Sequence, residues 1–143
     1  MGKYTIAKEL GVKCVSQRNI QDSDAVMFDI DETLIHVDGS PINDMISLFK
    51  LCKVLGYNTI IITARPNHAV CQHETILQMS ALDIFPNEVY YVPAHLKTQV
   101  KEQTGYNYVL SVGDLNTDLH GSEYFIKLPD TFDPRVYSNI KLH

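Results

Sequence analysis

The stretch AVMFDIDETLIH, residues 25–36, decides the fold, because an apolar run ends there in a concentration of negative charge. The run up to Ile30 predicts a buried strand. Asp29, Asp31 and Glu32 then fall within four residues. Side chains two apart on a strand point the same way, so we expect the carboxylates of Asp29 and Asp31 to converge at the end of this strand.

Outside this stretch, buried strands alternate with helical patterns along the chain. Strands are predicted at 25–30, 58–63, 88–92, 108–112 and 124–128. Helices are predicted from Ser40 (the N-cap) and Pro41 (the first helical position) to a stop at Gly56, at 68–80 and at 97–103. This alternation predicts an α/β fold, a three-layer α/β/α Rossmann-like parallel sheet. Residues 1–143 are predicted to form a single domain, in which residues 1–24 are an N-terminal extension of unassigned role.

Composition sets bounds on the class of protein. A chain of 143 residues with 45% hydrophobic and 20% charged residues can form one globular core. No apolar run approaches a membrane span, and the first residues lack the apolar core of a secretory signal. Three cysteines without metal-type spacing predict an intracellular, cytoplasmic setting, and the net charge of -5 gives no indication of nucleic-acid binding.

Polar side chains stand where three of the predicted strands end. The second ends at Thr63 and is followed by Ala64 and Arg65, and the fourth is followed by Asp114 and Asp118. Ligand sites of parallel sheets lie at the carboxyl ends of the strands, so these groups are expected to meet. Clustered carboxylates without histidine or cysteine suit Mg²⁺. A carboxylate can also attack phosphorus, with a hydroxyl and a lysine to hold the phosphoryl oxygens.

The lysine has two candidates, Lys97 and Lys101. They stand one helical turn apart, so both could face the sheet. Lys97 is preferred because it begins the predicted helix and therefore lies nearer the strand ends. Lys101 stays open as the alternative.

Four motifs in order, DIDETL, ITAR, a lysine and GDLNTD, resemble the haloacid dehalogenase (HAD) superfamily. The resemblance covers 26–118 and is greatest to the capless, acid-phosphatase-like branch (class B, subfamily III). The segments KTQV, GY and FIKLPD add to that likeness, whereas Ala64 stands where the branch often has glycine. The resemblance implies a HAD-like fold and a Mg²⁺-dependent phosphatase that works through an aspartyl-phosphate.

The resemblance also implies residue roles. Asp29 would be the nucleophile, and Asp31 would be the general acid and then the general base. Mg²⁺ would be held by Asp29, Asp114 and the backbone carbonyl of Asp31, with Asp118 supporting the metal's water or Lys97. The phosphate would be bound by Ile30, Thr63, Ala64, Arg65 and Lys97.

The intervals 33–58 and 65–97 are too short to hold a cap domain, so an open site is expected, which a second copy of the chain could cover. The substrate would be a small phosphomonoester or a phosphorylated macromolecule. Other readings remain: a phosphotransferase with the same residues, a non-catalytic HAD-like binding protein, and a phospho-receiver-like module. The receiver reading conflicts with Asp114 following the lysine. Taken singly, each acidic cluster could also be a simple turn or helix cap.

Overall fold

The computed structural model describes residues 2–142, which form four helices and six strands. The helices are α1 (Lys3–Ser16), α2 (Asn43–Leu55), α3 (Ala69–Ala81) and α4 (Lys97–Thr104). The strands are β1 (Asp24–Phe28), β2 (Asn58–Thr63), β3 (Glu88–Tyr91), β4 (Asn107–Gly113), β5 (Tyr124–Lys127) and β6 (Tyr137–Ser138). Short 3₁₀ turns at Ala94–Leu96 and Asn116–Asp118 precede α4 and follow β4. No helix within 2–142 is both long and apolar enough to cross a membrane.

The strands form one sheet in the order β3-β2-β1-β4-β5-β6. Every neighbouring pair from β3 to β5 is parallel, and β6 pairs with β5 in the antiparallel direction. The predicted three-layer α/β/α fold is confirmed, with β6 added at the edge, and residues 2–142 contain no cap domain. The chain moves from β1 to β2 and β3 on one side, then returns to place β4 on the other side of β1. This reversal creates a crevice at the carboxyl ends of β1 and β4, where open α/β sheets bind ligands.

Helices cover both faces of the sheet, because the central strands are apolar on both sides. One cluster of buried side chains joins α1, α2 and Met79 of α3 to one face of the sheet. A second cluster joins Val100 of α4 to Ala25, Met27 and Ile60 on the other face. Adjacent residues of β1 thus bury opposite faces, as alternation along a strand requires.

The N-terminal extension forms α1, which the sequence analysis did not predict. Its buried side chains, Ala7, Leu10 and Val15, pack into the larger cluster, and Thr5 Oγ1 donates a 3.0 Å hydrogen bond to Asp44 of α2. Gly11 lets the two helices approach closely, because a Cβ at this position would lie 2.4 Å from a methyl carbon of Leu48. Helix α1 is therefore an integral part of the layer that covers β4 and β5.

Two predicted boundaries were wrong. Helix α2 begins at Asn43, and Ser40 is not its N-cap, since the Ser40 hydroxyl donates to Asp38 at 2.6 Å. Pro41 pairs with Ile35 in an isolated bridge instead of starting the helix. Strand β1 ends at Phe28, because the chain turns at Ile30, whose carbonyl accepts hydrogen bonds from three following amides. The hydrogen bonds of the loop, rather than the local capping residues, therefore set these two boundaries.

The packing of α1 on α2 can be tested at Leu48, which is fully buried against Gly11. We expect Leu48→Ala to lower the free energy of unfolding by about 2–5 kcal/mol, as other buried leucine truncations do. Leu55→Ala on the same helix is the control, because Leu55 is 36% exposed. Denaturant titration measures both, and equal losses would contradict the proposed packing.

Candidate active site

The site lies where β2, β1 and β4 end side by side. Because these strands are adjacent and parallel, the residues that follow them share one edge of the sheet. Asp29 follows β1 directly, Thr63 ends β2 and Asp114 follows β4. The sequence separation between these groups is large, and the sheet order alone brings them to the same crevice.

A buried lysine lies between two buried carboxylates at the centre of the site. Lys97 Nζ is 3.1 Å from Asp29 Oδ1 and 2.6 Å from Asp118 Oδ1. The Lys97 side chain is 1% exposed, and that of Asp29 is 8% exposed. Carboxylate oxygens of Asp29, Asp114 and Asp118 all lie within 4.8 Å of one another. Three carboxylates therefore lie close together, and the Lys97 ammonium pairs with two of them.

Burial and mutual repulsion raise the pKa values of this acidic cluster. The pKa of Asp29 is raised well above its usual range by burial and then by the charge of Asp118, although Lys97 opposes the shift. Burial, followed by the charge of Asp118, raises the pKa of Asp114 to about 6. The pKa of Lys97 is raised, because the attraction of Asp29 and Asp118 outweighs the opposing effect of burial. The cluster is thus short of positive charge.

A divalent cation fits this donor set. When all three carboxylates are ionised, the single ammonium leaves two negative charges uncompensated, which a divalent ion would neutralise. The donors are oxygens only, as hard ions such as Mg²⁺ prefer. The residues present therefore fit the expected ion. The cluster includes the side chain of Asp118, whereas the sequence analysis expected the side chain of Asp31 beside Asp29.

Asp31 lies apart from the acidic cluster and is held by Arg65. The guanidinium donates from Nε at 3.0 Å and from Nη2 at 2.8 Å to the two Asp31 oxygens. Its remaining Nη1 donates to Thr75 Oγ1 and Gln78 Oε1 on α3. The Asp31 side chain is 43% exposed, so this carboxylate faces the open side of the site. Thr75 and Gln78 were not predicted as partners of Arg65, because only the fold brings α3 close to Arg65.

The positions expected to bind phosphate follow or end β1 and β2, at the sheet edge that carries Asp29. Thr63 is fully buried, and its Oγ1 accepts a 3.1 Å hydrogen bond from the backbone N–H of Arg65. Ile30 is fully buried, and its backbone acts to lower the pKa of Asp29, against the larger effect of burial. Ala64 is exposed at the end of β2. The structure thus brings these positions to the sheet edge that carries Asp29.

The two candidate lysines have different surroundings. Lys97 reaches Asp29, whereas Lys101 donates to Ser111 of β4 and to backbone carbonyls of the loop that follows β4. Both are buried. The Lys97 ammonium therefore lies at the edge of the sheet, whereas the Lys101 ammonium, one helical turn further on, lies beneath the loop that follows β4.

A cavity of about 380 Å³ opens beside Asp114 and is lined in part by α1. Tyr4 brings its ring to this cavity and packs edge-on against His36, with ring centroids 5.9 Å apart. Burial and then the charges of Glu32 and Asp114 raise the pKa of Tyr4. Tyr4 was not predicted as a site residue. The helical spacing of Ala7, Leu10 and the following apolar residues could have indicated the helix that carries it.

Gly113 is required by the packing of Asp118. A Cβ at position 113 would lie 2.2 Å from Asp118 Oδ2 and 2.4 Å from Asp118 Cγ. Asp118 Oδ2 also accepts a 3.1 Å hydrogen bond from Leu115 N, so the carboxylate cannot simply turn away. The glycine of the GDLNTD motif therefore provides the space in which Asp118 meets Lys97.

The comparisons with known proteins concern the fold. No family model matches the chain, and no curated protein matches it. Among solved structures, the class C acid phosphatase from Bacillus anthracis is similar, with a TM-score of 0.64 and 16% identity. The chain has the HAD-like fold. The predicted resemblance is thereby confirmed at the level of fold. The match covers 82% of this chain but only 62% of the phosphatase, so the chain spans less than two thirds of that protein.

Gly113→Ala should displace Asp118 and disturb its contact with Lys97. We expect the free energy of unfolding to fall by about 1–3 kcal/mol, as in other overpacked sites. Mg²⁺ affinity, measured by calorimetric titration, should fall about tenfold or more. Gly2→Ala is the control, since the nearest atom to its Cβ would be 3.7 Å away. Unchanged Mg²⁺ affinity in Gly113→Ala would contradict this role.

The metal-free protein should lose stability as pH rises through the titration of the acidic cluster. The pKa of Asp114 is raised from 3.8 to about 6, so the folded protein holds protons that the unfolded chain has released between these values. The free energy of unfolding attributable to Asp114 therefore falls over this range, by about 1–2 kcal/mol after allowance for partial exposure. Asp29 acts in the same direction.

Denaturant titrations of the parent and of Asp114→Asn in chelator, from pH 4.5 to 7.5, measure this effect as a difference. The free energy of unfolding of the parent, taken relative to that of the variant, should be greatest at low pH and should fall as pH rises. A constant difference across the range would show that the carboxylates do not repel one another as the geometry implies.

Proposed function

We propose that the protein is a Mg²⁺-dependent phosphomonoesterase that forms an aspartyl-phosphate on Asp29. The single observation that carries the proposal is the buried ammonium of Lys97 between Asp29 and Asp118, inside a cluster of three carboxylates. The fold shared with an acid phosphatase supports the same conclusion. A phosphomonoester is the proposed substrate class, because its anionic oxygens suit the cationic and N–H donors at this sheet edge.

In the first half of the reaction, an oxygen of Asp29 attacks phosphorus. The bond between phosphorus and the alcohol oxygen breaks, and Asp31 gives its proton to the leaving oxygen. Lys97 and Thr63 hold the phosphoryl oxygens while charge moves across them. Lys97 also keeps the Asp29 carboxylate oriented through their 3.1 Å contact. The products of this half are the alcohol and the phosphorylated Asp29.

In the second half, water attacks phosphorus and Asp31 accepts its proton. The acyl-phosphate bond breaks, inorganic phosphate leaves, and the Asp29 carboxylate is restored. Asp31 must therefore alternate between its acid and base forms. Both of its oxygens accept hydrogen bonds from Arg65, so the pair has to open before Asp31 can act as an acid. Arg65 is then free to turn towards the phosphate.

Mg²⁺, held by Asp29, Asp114 and the backbone carbonyl of Asp31, would supply positive charge to the transferring phosphoryl group. Asp118 is assigned to hold Lys97, because its two carboxylate oxygens accept hydrogen bonds from Lys97 Nζ and Leu115 N. Water has to be limited around the phosphorylated Asp29. The ring of Tyr4 and the loop that carries Val37 border the cavity next to Asp114 and can provide that cover.

Hydrolysis of a generic aryl phosphate tests the proposal. The parent should turn over with Mg²⁺ and not with chelator, and Asp29→Asn should lower kcat by about 10³-fold or more because the nucleophile is gone. Asp22→Asn is the matched control, because Asp22 is exposed and remote from the acidic cluster. Turnover by Asp29→Asn at the parent rate would overturn the assignment.

The same assay distinguishes hydrolysis from phosphate transfer. Adding an alcohol acceptor diverts phosphate to the alcohol in a phosphotransferase, and the yield of inorganic phosphate falls below the yield of released aryl alcohol. For a phosphatase the two yields stay equal. A folded parent that binds Mg²⁺ and hydrolyses no phosphomonoester would instead identify a binding protein.

A further inference from the structure

The buried side chain of Lys101 has no part in the proposed chemistry. Lys101 is 2% exposed, one helical turn beyond Lys97 on α4. Burial lowers its pKa, so a charged form at this depth needs several acceptors. An ammonium has three N–H donors.

Three close acceptors surround the Lys101 ammonium. Nζ donates to Ser111 Oγ at 2.8 Å, to the Asp118 carbonyl at 2.6 Å and to the His120 carbonyl at 2.7 Å. Ser122 Oγ lies farther away, at 3.4 Å. Ser111 belongs to β4, whereas the carbonyls belong to the segment after it. Lys101 therefore ties that segment to both α4 and the central sheet.

The segment that Lys101 holds, residues 114–122, carries two of the three clustered carboxylates. Asp118 is fixed at both ends: its carbonyl accepts from Lys101, and its carboxylate accepts from Lys97. Gly121 has a φ of +84°, which lets the chain turn closely over the Lys101 stem. A shift of the Asp118 backbone would therefore carry its carboxylate away from Lys97.

We propose that Lys101 is a positioning residue, which holds the 114–122 segment so that Asp114 stays placed to bind Mg²⁺ and Asp118 stays in contact with Lys97. This inference rests on the metal site of the proposed function. Two lysines one turn apart on α4 thereby have different roles. Lys97 contacts the carboxylates, and Lys101 binds the backbone of the segment that carries two of them. Removing the Lys101 ammonium would leave two carbonyls without their buried donor, and the segment would have to move towards water to satisfy them.

The test compares Mg²⁺ binding by calorimetric titration in the parent, Lys101→Met and Leu48→Ala. Lys101→Met keeps a long apolar side chain and removes only the ammonium. We expect its Kd for Mg²⁺ to rise about tenfold or more, in the range seen when groups that orient metal ligands are lost. Leu48→Ala is the control for lost stability, since Leu48 packs beneath α1, and its Kd should stay within about twofold of the parent value.

Kinetics with the aryl phosphate supply a second readout. At saturating Mg²⁺, kcat of Lys101→Met should fall while KM stays within about threefold, because Lys101 does not touch substrate. If Lys101→Met does not fold, Lys101→Gln takes its place, with an amide donor near the same carbonyls and an expected Kd increase of about fivefold. A Kd within about twofold of the parent in whichever variant folds, or an equal shift in Leu48→Ala, overturns the inference.

The results separate this inference from the proposed function. A parent that binds Mg²⁺ without turnover, together with a raised Kd in Lys101→Met, overturns the phosphatase proposal and supports the positioning role. Turnover with unchanged Kd and kcat in Lys101→Met overturns the positioning role alone. A parent that does not bind Mg²⁺ overturns both.

Discussion

The contact on which the site depends is the Lys97 ammonium between the carboxylates of Asp29 and Asp118. Each of these groups is buried, and an isolated buried charge would be strongly destabilising. The pairing therefore constrains three parts of the chain at once: the end of β1, the start of α4 and the turn after β4. Because the three carboxylates outnumber the Lys97 ammonium, the cluster carries uncompensated negative charge when all are ionised, and that charge favours a bound cation.

Fold topology explains why these three parts can meet. The reversal of strand order beside β1 leaves a crevice between the ends of β1 and β4, and α4 enters it from the opposite face to α1, α2 and α3. The interval between β1 and α2 contains only a loop, so nothing inserted there closes the crevice. Helix α1 partly compensates, because it carries Tyr4 to the cavity beside Asp114.

Much of this arrangement could be predicted from short stretches of sequence. NTIIIT is β-branched from Thr59 onwards, and the structure has β2 at the predicted bounds, Asn58–Thr63. The helix within residues 1–24 could not be predicted, because it is stabilised mainly by the packing of Leu10 and Val15 against the rest of the fold. The start of α2 was misplaced, because the Asp38 carboxylate competes for the Ser40 hydroxyl. Such competition depends on how the loop closes, which local signals do not encode.

The sequence by itself determined the alternation of strands and helices and the placement of acidic groups at strand ends. It also determined that Asp29, Thr63 and Asp114 would share one sheet edge, since parallel strands align their carboxyl ends. Only the tertiary structure decided which lysine meets Asp29. Lys97 and Lys101 lie on the same face of one short helix, and a rise of about 6 Å along the helix axis separates their environments. The position of Lys97 at the start of the helix favoured it, but the helix axis relative to the sheet edge is set by long-range packing, and therefore a sequence pattern could not exclude Lys101.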